Sequence, residues 1–493
     1  MAEQGSDGEH LVPALGREDL HLPDRFEALR GTGADALRAF VFPVDAALVA
    51  IESRFSEIAT ARRGGLAILH GTTGAGKSTF LNTVGLFCEG VITERVPRSV
   101  DVAEMLDAIG GSGGERRILV LEGREALGRV SAQDIEETVH AVNVFARSPE
   151  GAETLVVWPA NTDELADHLA DCGRRVGGDA LFGVGDPVQR FDGPPRDQYA
   201  AIATKTIETL NHGASLAALG ISEALAGELA CKATTVGEFM GLVREALLSN
   251  GALVAKLMRK ERYRVWTLVI AGNEPEMDVA ALTRGSHGLV DIDRLLTATN
   301  ANVVTELKEM PERVGLLATN LDARLLHMDM LTALSIARAH GDDHLHGLMR
   351  VESMATTPAR DKDALARLRA SELGVLLAAD ALGPRRRGAR PGGGTKKAFE
   401  SLARIASKDD GAINRAIGTA LAEGGLISEF APEVDLGTEL VFESDLRVVR
   451  AEEPIRIEIM WRKSTSRAAI ANYVLGKLQN YGRAIGYLDQ GGP

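Results

Sequence analysis

The sequence predicts an α/β protein: a parallel sheet flanked by helices, then a helical middle region, then a small α+β domain at the C-terminus. Three observations carry that prediction. Short apolar runs at Leu66–Leu69, Arg117–Leu121 and Thr154–Trp158 alternate with segments whose apolar residues recur at helical spacing. A glycine-rich loop, Gly71 to Ser78, joins the first of those runs to a helical segment. Residues 196–380 read as mostly helical, and strand-like pieces return only after a stretch rich in Arg, Gly and Pro.

The elements follow in order. Residues 1–25 are polar and acidic at the start and read as a flexible N-terminus rather than a secretory signal. Residues 26–290 are expected to form the main core. Helical spacing from Leu37 to Ile58, broken at Pro43, leads into the strand at Leu66. Phe80, Leu81, Val84 and Phe87 continue at helical spacing after the loop. Val91–Val96 reads as a strand and Val100–Ile109 as a helix. Ser131 and Asp134 resemble a capping box opening a helix to about Arg147. Arg264–Ala271 is a strong strand candidate that could join the core sheet. Residues 291–380 are expected to be helical, and residues 381–397 to be a basic linker carrying Arg385, Arg386, Arg387, Arg390, Lys396 and Lys397. Residues 398–493 then read as helices, strands near Glu439–Phe442, Leu446–Val449 and Ile455–Met460, and a last helix from about Ser466 to Ile485.

Bulk composition narrows the class. The chain has 493 residues, 45% hydrophobic and 25% charged, which is ordinary for a globular protein of a few domains. Cys88, Cys172 and Cys231 are far apart and form no metal-binding spacing, so reduced thiols and a cytoplasmic location are expected. No apolar run reaches the ~18 residues of a membrane span, so no membrane partner is expected. The net charge of −14 argues against a generally basic surface but permits a local basic groove. The abundance of Ala, Gly and Arg points to a GC-rich bacterial genome.

The loop Gly71-Thr72-Thr73-Gly74-Ala75-Gly76-Lys77-Ser78 fits G-x-x-x-x-G-K-[ST], between a strand and a helix as that phosphate-binding motif requires. Backbone N–H groups of such a loop turn inward around phosphate, and the helix start adds unpaired donors. Gly71 to Thr79 are therefore the expected ATP-binding residues. Lys77 would reach the β- and γ-phosphates, and Ser78 would bind Mg²⁺. A hydrolytic site also needs an acid near the metal and a group to orient water. The strand Ile118–Leu121 ends in Glu122-Gly123-Arg124-Glu125, which supplies two candidates. Glu122 is expected to hold Mg²⁺ through water, and Glu125 to activate the attacking water.

This layout resembles the additional-strand P-loop ATPases, the group that includes AAA+ and RecA-like proteins, over about residues 35–290. In that group the corresponding strand usually ends in Asp-Glu; here Glu122 takes the Asp position and Glu125 comes three residues later. The resemblance implies that Asn161, after the strand Thr154–Trp158, senses the γ-phosphate; its residue type equally suits a helix N-cap. Arg174, Arg175 and Arg284 are candidates for an arginine finger. The first two also suit the C-terminal end of a helix.

The C-terminal segment places Asp445 on one strand-like piece and Glu458 on the next, followed by a long helix with Tyr473, Lys477 and Tyr481. That order resembles the restriction-endonuclease-like fold. The resemblance implies a Mg²⁺ site at Asp445 and Glu458, with a lysine two residues after the Glu. Met460 stands there instead, so Lys463 or Lys477 would have to substitute. Binding without efficient cleavage is expected. The joined features bear a further resemblance to ATPase subunits of prokaryotic phage-defence and DNA-phosphorothioation systems. It implies DNA and protein partners in a multi-subunit complex, and a homo-oligomer as one possibility. An ATP-driven motor or switch on DNA, a regulatory ATPase scaffold, and an ATP-gated nuclease are the three functional expectations.

Overall fold

A computed structural model describes residues 22, 37–38, 41–211, 213–257, 263–301, 305–356, 361–385, 391–436 and 442–488. The expected flexible N-terminus therefore lies, Leu22 aside, outside the described residues. The chain divides into two compact units, one drawn from His21–Leu210 and Glu223–Glu245, the other from Asn211–Ser222 and Ala246–Pro493.

In the first unit β1 (Gly65–His70), β2 (Val91–Val96), β3 (Arg116–Leu121), β4 (Thr154–Ala160) and β5 (Val188–Arg190) form a sheet in the order β2-β3-β4-β1-β5. Every pair is parallel. β4 lies between β1 and β3. Successive residues of a strand feed opposite cores. Leu66, Ile68, Leu119, Leu121, Val156 and Trp158 pack with the helices Val102–Ala108, Ala132–Arg147 and Asp163–Gly177. Ala67, Leu69, Ile118, Val120, Leu155 and Val157 pack with the helix Asp45–Ala61 and with Phe80 and Leu81 of the helix Lys77–Thr83. Burial on both faces is why these strands read as continuous apolar runs. The helix Ala132–Arg147 opens on a complete capping box between Ser131 and Asp134.

The second unit carries β6 (Arg264–Ala271), β7 (Thr283–Arg284), β8 (Leu289–Val290), β9 (Arg324–His327), β10 (Glu429–Asp435), β11 (Glu443–Arg450) and β12 (Glu453–Arg462), ordered β10-β11-β12-β6-β9-β8-β7. β12, β6 and β9 are parallel, and the strands on either side are antiparallel. Helices Met330–Ala339, Gly393–Ala406 and Asp410–Glu423 pack in one core of this unit. Helices Pro311–Asn320 and Arg467–Ala484 pack in the other.

Three expectations change here. β6 joins not the glycine-loop sheet but a second sheet, between β12 and β9. All of its residues are buried, so any central slot would suit its pattern. Long-range charge pairs tie β6 to that slot: buried Arg264 bonds Asp322 at 2.8 Å, next to β9, and Glu453 at 2.6 Å, at the start of β12. The expected core boundary at 290 thus falls inside the second unit, and the region 291–380 contributes strand β9. The expected linker is also partly built into the fold, because residues from Gly393 onward are helical and Leu382 N donates to Ser286 O at 2.7 Å. Finally, β10 was not expected, and the strand expected at Glu439–Phe442 lies, Phe442 aside, outside the described residues. Among the described residues no helix is long and apolar enough to cross a membrane. The three cysteines are free.

Candidate functional site

The glycine loop leaves the C-terminal end of β1, where α/β sheets bind ligands. Gly71 N donates to Ala160 O at 3.0 Å, tying the loop to the end of β4. Gly74 and Gly76 sit at φ +88° and +99°, a backbone region that costs glycine nothing and other residues strain. A Cβ on Gly74 would also lie 2.8 Å from Thr235 Oγ1. The loop is held from that side by Gly237 N, which donates to Gly74 O at 3.0 Å. Thr72, Thr73, Gly74 and Ser78 face solvent, whereas Ala75 and Lys77 are buried. Lys77 Nζ donates to the carbonyls of Gly71 and Thr72, the second at 3.0 Å. Burial pulls its ammonium down to about 8, against an opposing pull from the Glu125 carboxylate.

The two acids after β3 are placed differently. Glu122 lies 3.4 Å from the Arg95 guanidinium on β2. Arg95 Nε donates to Asn82 Oδ1 at 2.6 Å, and Asn82 Nδ2 donates to Ser78 O at 2.6 Å. A chain of polar contacts thus joins Glu122 to the residue expected to hold Mg²⁺. Glu125 turns back on its own loop, accepting from Gly123 N at 2.7 Å. Its backbone O accepts from Asn161 N at 2.9 Å. Trp158 Nε1 donates to Arg124 O at 3.1 Å, so β4 fixes the loop that carries Glu125. Thr162, not Asn161, caps the following helix. Arg95 and Asn82 were not anticipated. Asn82 lies four residues after Ser78 on one helix, so helical spacing was the available signal for it. Arg174 sits 3.6 Å from Asp171 near the end of its helix and is half exposed. Arg284 lies in the second unit, where it donates to Asn211 O at 2.9 Å.

The residues fit a nucleotide and Mg²⁺ in kind: a glycine-turned loop, a buried lysine beneath it, an exposed serine at the helix start and carboxylates on the neighbouring strand end. No family model matches this chain. No curated protein matches it either. Among solved structures it is similar to Cdc6p from Pyrobaculum aerophilum, at 12% identity and a TM-score of 0.31, over 76% of this chain and 90% of that one. The sheet and the loop decide the fold. The first unit has the α/β architecture of a P-loop NTPase.

A second polar cluster lies in the other unit. Glu458 on β12 is fully buried, and Asp445 on β11 is partly buried. Lys477 of the helix Arg467–Ala484 pairs with both, touching Glu458 and lying 3.6 Å from Asp445. Tyr481 donates to Glu458 at 2.6 Å, Tyr473 to Asp445 at 3.4 Å, and Ile459 N to Asp445 at 2.6 Å. Burial pushes Glu458 up to about 7 and raises Asp445 as well, each opposed by Lys477. Met460 is buried in the core, while Lys463 is exposed beyond the strand end. Lysine therefore reaches these carboxylates from the helix, one face of which packs on β12.

The basic stretch is not uniform. Arg385 is mostly buried and holds Glu372 through two bonds, at 2.5 and 3.0 Å, with a third to Leu325 O at 3.0 Å. It is a fold-building residue, which corrects its place in a solvated tether. Lys396 and Lys397 are exposed on the helix Gly393–Ala406. Arg386, Arg387 and Arg390 lie outside the described residues.

Proposed function

We propose that the chain is a Mg²⁺-dependent ATPase that acts as a motor or switch on DNA within a bacterial DNA-modification or phage-defence complex. One observation carries the ATPase reading: a glycine-turned loop at the end of a central parallel strand, with Lys77 buried beneath it and the Glu122 and Glu125 loop beside it. When bound, Mg²⁺ would supply charge neutralisation between the β- and γ-phosphates. Gly71 to Thr79 would cradle the phosphates, and Ser78 and Glu122 would hold the ion. Glu125, fixed by Asn161 N, would orient water, and Asn161 would sense the terminal phosphate. The exposed Lys396 and Lys397 support a DNA partner, since phosphate contacts need accessible cations. The deciding experiment is ATP hydrolysis with and without duplex DNA. Stimulation by DNA supports the motor or switch. Equal turnover in both favours a regulatory scaffold that answers to protein partners.

A second reading is an ATP-gated nuclease. Its support is the convergence of Asp445, Glu458 and Lys477 from two strands and a helix. Two carboxylates and a lysine are the groups a Mg²⁺-assisted phosphodiester hydrolysis uses. Lys477 already neutralises one of the two charges, so the cluster favours binding over cleavage.

A further inference from the structure

Glu274, Glu276 and His327 meet at the C-terminal ends of two adjacent parallel strands, away from the cluster at Asp445. His327 is the last residue of β9, and the two glutamates lie in and just after the loop that leaves β6. One ligand atom from each of the three lies within 4.8 Å of the others. His327 Nε2 is 4.0 Å from Glu274 Oε2. Ligands at about 2.1 Å around one tetrahedral ion stand roughly 3.4 Å apart, so small side-chain rotations close the set.

The histidine is the decisive member. It is 9% exposed, and its Nε2 is buried without a hydrogen bond. A buried ring nitrogen normally finds a donor or acceptor. This one lies 4.0 Å from a Glu274 carboxylate oxygen, which would also coordinate a cation. The segments that carry the three groups are anchored to the fold. Glu274 accepts from Met330 N at 3.4 Å, and His327 N donates to Glu372 at 2.8 Å. Glu372 is in turn held by Arg385. Asp329, two residues after His327, caps the next helix by accepting from Thr332 N at 2.9 Å. Of these bonds, the one from Met330 N acts on a ligand side chain and helps orient Glu274.

We propose that Glu274, Glu276 and His327 form a binding site for a divalent transition-metal ion, of the Zn²⁺, Mn²⁺ or Co²⁺ class. One imidazole with two carboxylates suits these ions better than Mg²⁺ or Ca²⁺, which take oxygen ligands alone. Three protein ligands leave coordination positions for water or a substrate oxygen, as in open metal sites. The site is independent of the nucleotide loop and of the Asp445 cluster, so it stands whether or not the ATPase reading does.

The test uses the full chain, stripped with chelator and free of nucleotide. Co²⁺ and Zn²⁺ are titrated in by calorimetry and absorption, with Mg²⁺ as the competitor. Expected is one equivalent of Co²⁺ per chain, displaced by Zn²⁺ but not by excess Mg²⁺. His327→Ala should weaken binding by more than the ~10–100-fold that loss of an outer partner costs. Glu274→Gln, in a loop and only partly buried, serves if the histidine variant does not fold; it should weaken Co²⁺ binding while leaving the circular dichroism spectrum unchanged. Asp445→Ala and Lys77→Ala should bind Co²⁺ as the parent does. No Co²⁺ or Zn²⁺ binding by the parent chain, or equal binding by a folded His327 or Glu274 variant, overturns the proposal.

Discussion

Arg95 reaches from β2 to Glu122 at the end of β3, its guanidinium 3.4 Å from the carboxylate. The same guanidinium is held by Asn82, which is bonded to the backbone of Ser78. Glu122 is therefore oriented through the helix that carries Ser78. Glu122→Gln is expected to keep ATP binding and lower kcat by about 10²-fold, the usual cost of losing one preorganised charge. Arg95→Ala acts by position alone and should cost up to ~10²-fold, with partial recovery in Arg95→Lys. Single-turnover ATP hydrolysis beside equilibrium nucleotide binding checks both. A silent Glu122→Gln with an inactive Glu125→Gln would move the acidic role to Glu125, whose charge Lys77 already feels.

On the proposed ATPase reading, Lys77 would contribute charge to phosphate, while in the fold, among the described residues, it bonds only the carbonyls of its own loop. Lys77→Ala should weaken ATP binding by roughly 10–100-fold, the value of a charge-assisted hydrogen bond, and leave the fold intact. Its ammonium is lowered by burial to about 8. Phosphate binds the charged form, so ATP affinity should fall as pH rises through about 8. Stability has the opposite sign. Between about 8 and the ordinary lysine value of 10.5 the unfolded chain holds the proton more tightly, so stability should rise with pH across that window. Lys77→Met should flatten both profiles, as measured by nucleotide titration and urea unfolding.

The division of the basic stretch makes a double expectation. Arg385→Ala breaks a mostly buried pair with Glu372 and should destabilise the fold by on the order of 3 kcal/mol. Lys396→Ala with Lys397→Ala should leave stability within about 0.5 kcal/mol. It should instead lower DNA affinity and reduce the salt slope by about one unit for each phosphate no longer neutralised. Thermal unfolding and salt-dependent DNA binding separate the two. Unchanged DNA affinity and slope in the lysine variant would leave this helix without a phosphate role.

What was legible in the sequence was local. The strand, loop and helix around Lys77 are contiguous, and the box at Ser131 spans four residues, so spacing alone displays them. What was hidden was long-range. The all-buried pattern of β6 admits any central position, and the partners that tie Arg264 there, Asp322 and Glu453, lie far along the chain. β10 was missed because it is a sheet edge containing Pro432 and exposed residues, which removes the alternation expected of a strand. β9 is four residues long, below the length at which a pattern stands out. Arg95 gave no signal because a strand arginine reads as solvated surface until its partner across the sheet is known.

The Asp445, Glu458 and Lys477 cluster yields the last expectation. Two carboxylates share one lysine in a mostly buried site, and Glu458 has no solvent exposure at all. A catalytic Mg²⁺ would have to displace the ammonium that contacts both acids and neutralises one of their charges. Plasmid nicking with Mg²⁺ or Mn²⁺ should therefore be weak. Stability should show the cluster more plainly. Glu458 is raised to about 7 by burial, above the ordinary 4.5, so the folded chain binds that proton more tightly. Its contribution is complete below about 4.5 and lost as pH rises through about 7. Glu458→Gln should remove that decline in a urea-unfolding series. Lys477→Met leaves two uncompensated acids and should cost about 3–5 kcal/mol at neutral pH, less at pH 5 where protonation relieves the site. Robust nicking by the parent chain, abolished in Asp445→Ala, Glu458→Ala and Lys477→Ala alike, would overturn the expectation of weak cleavage. It would also place the nuclease reading ahead of the motor, because a purely structural ion-pair cluster has no reason to turn over a phosphodiester.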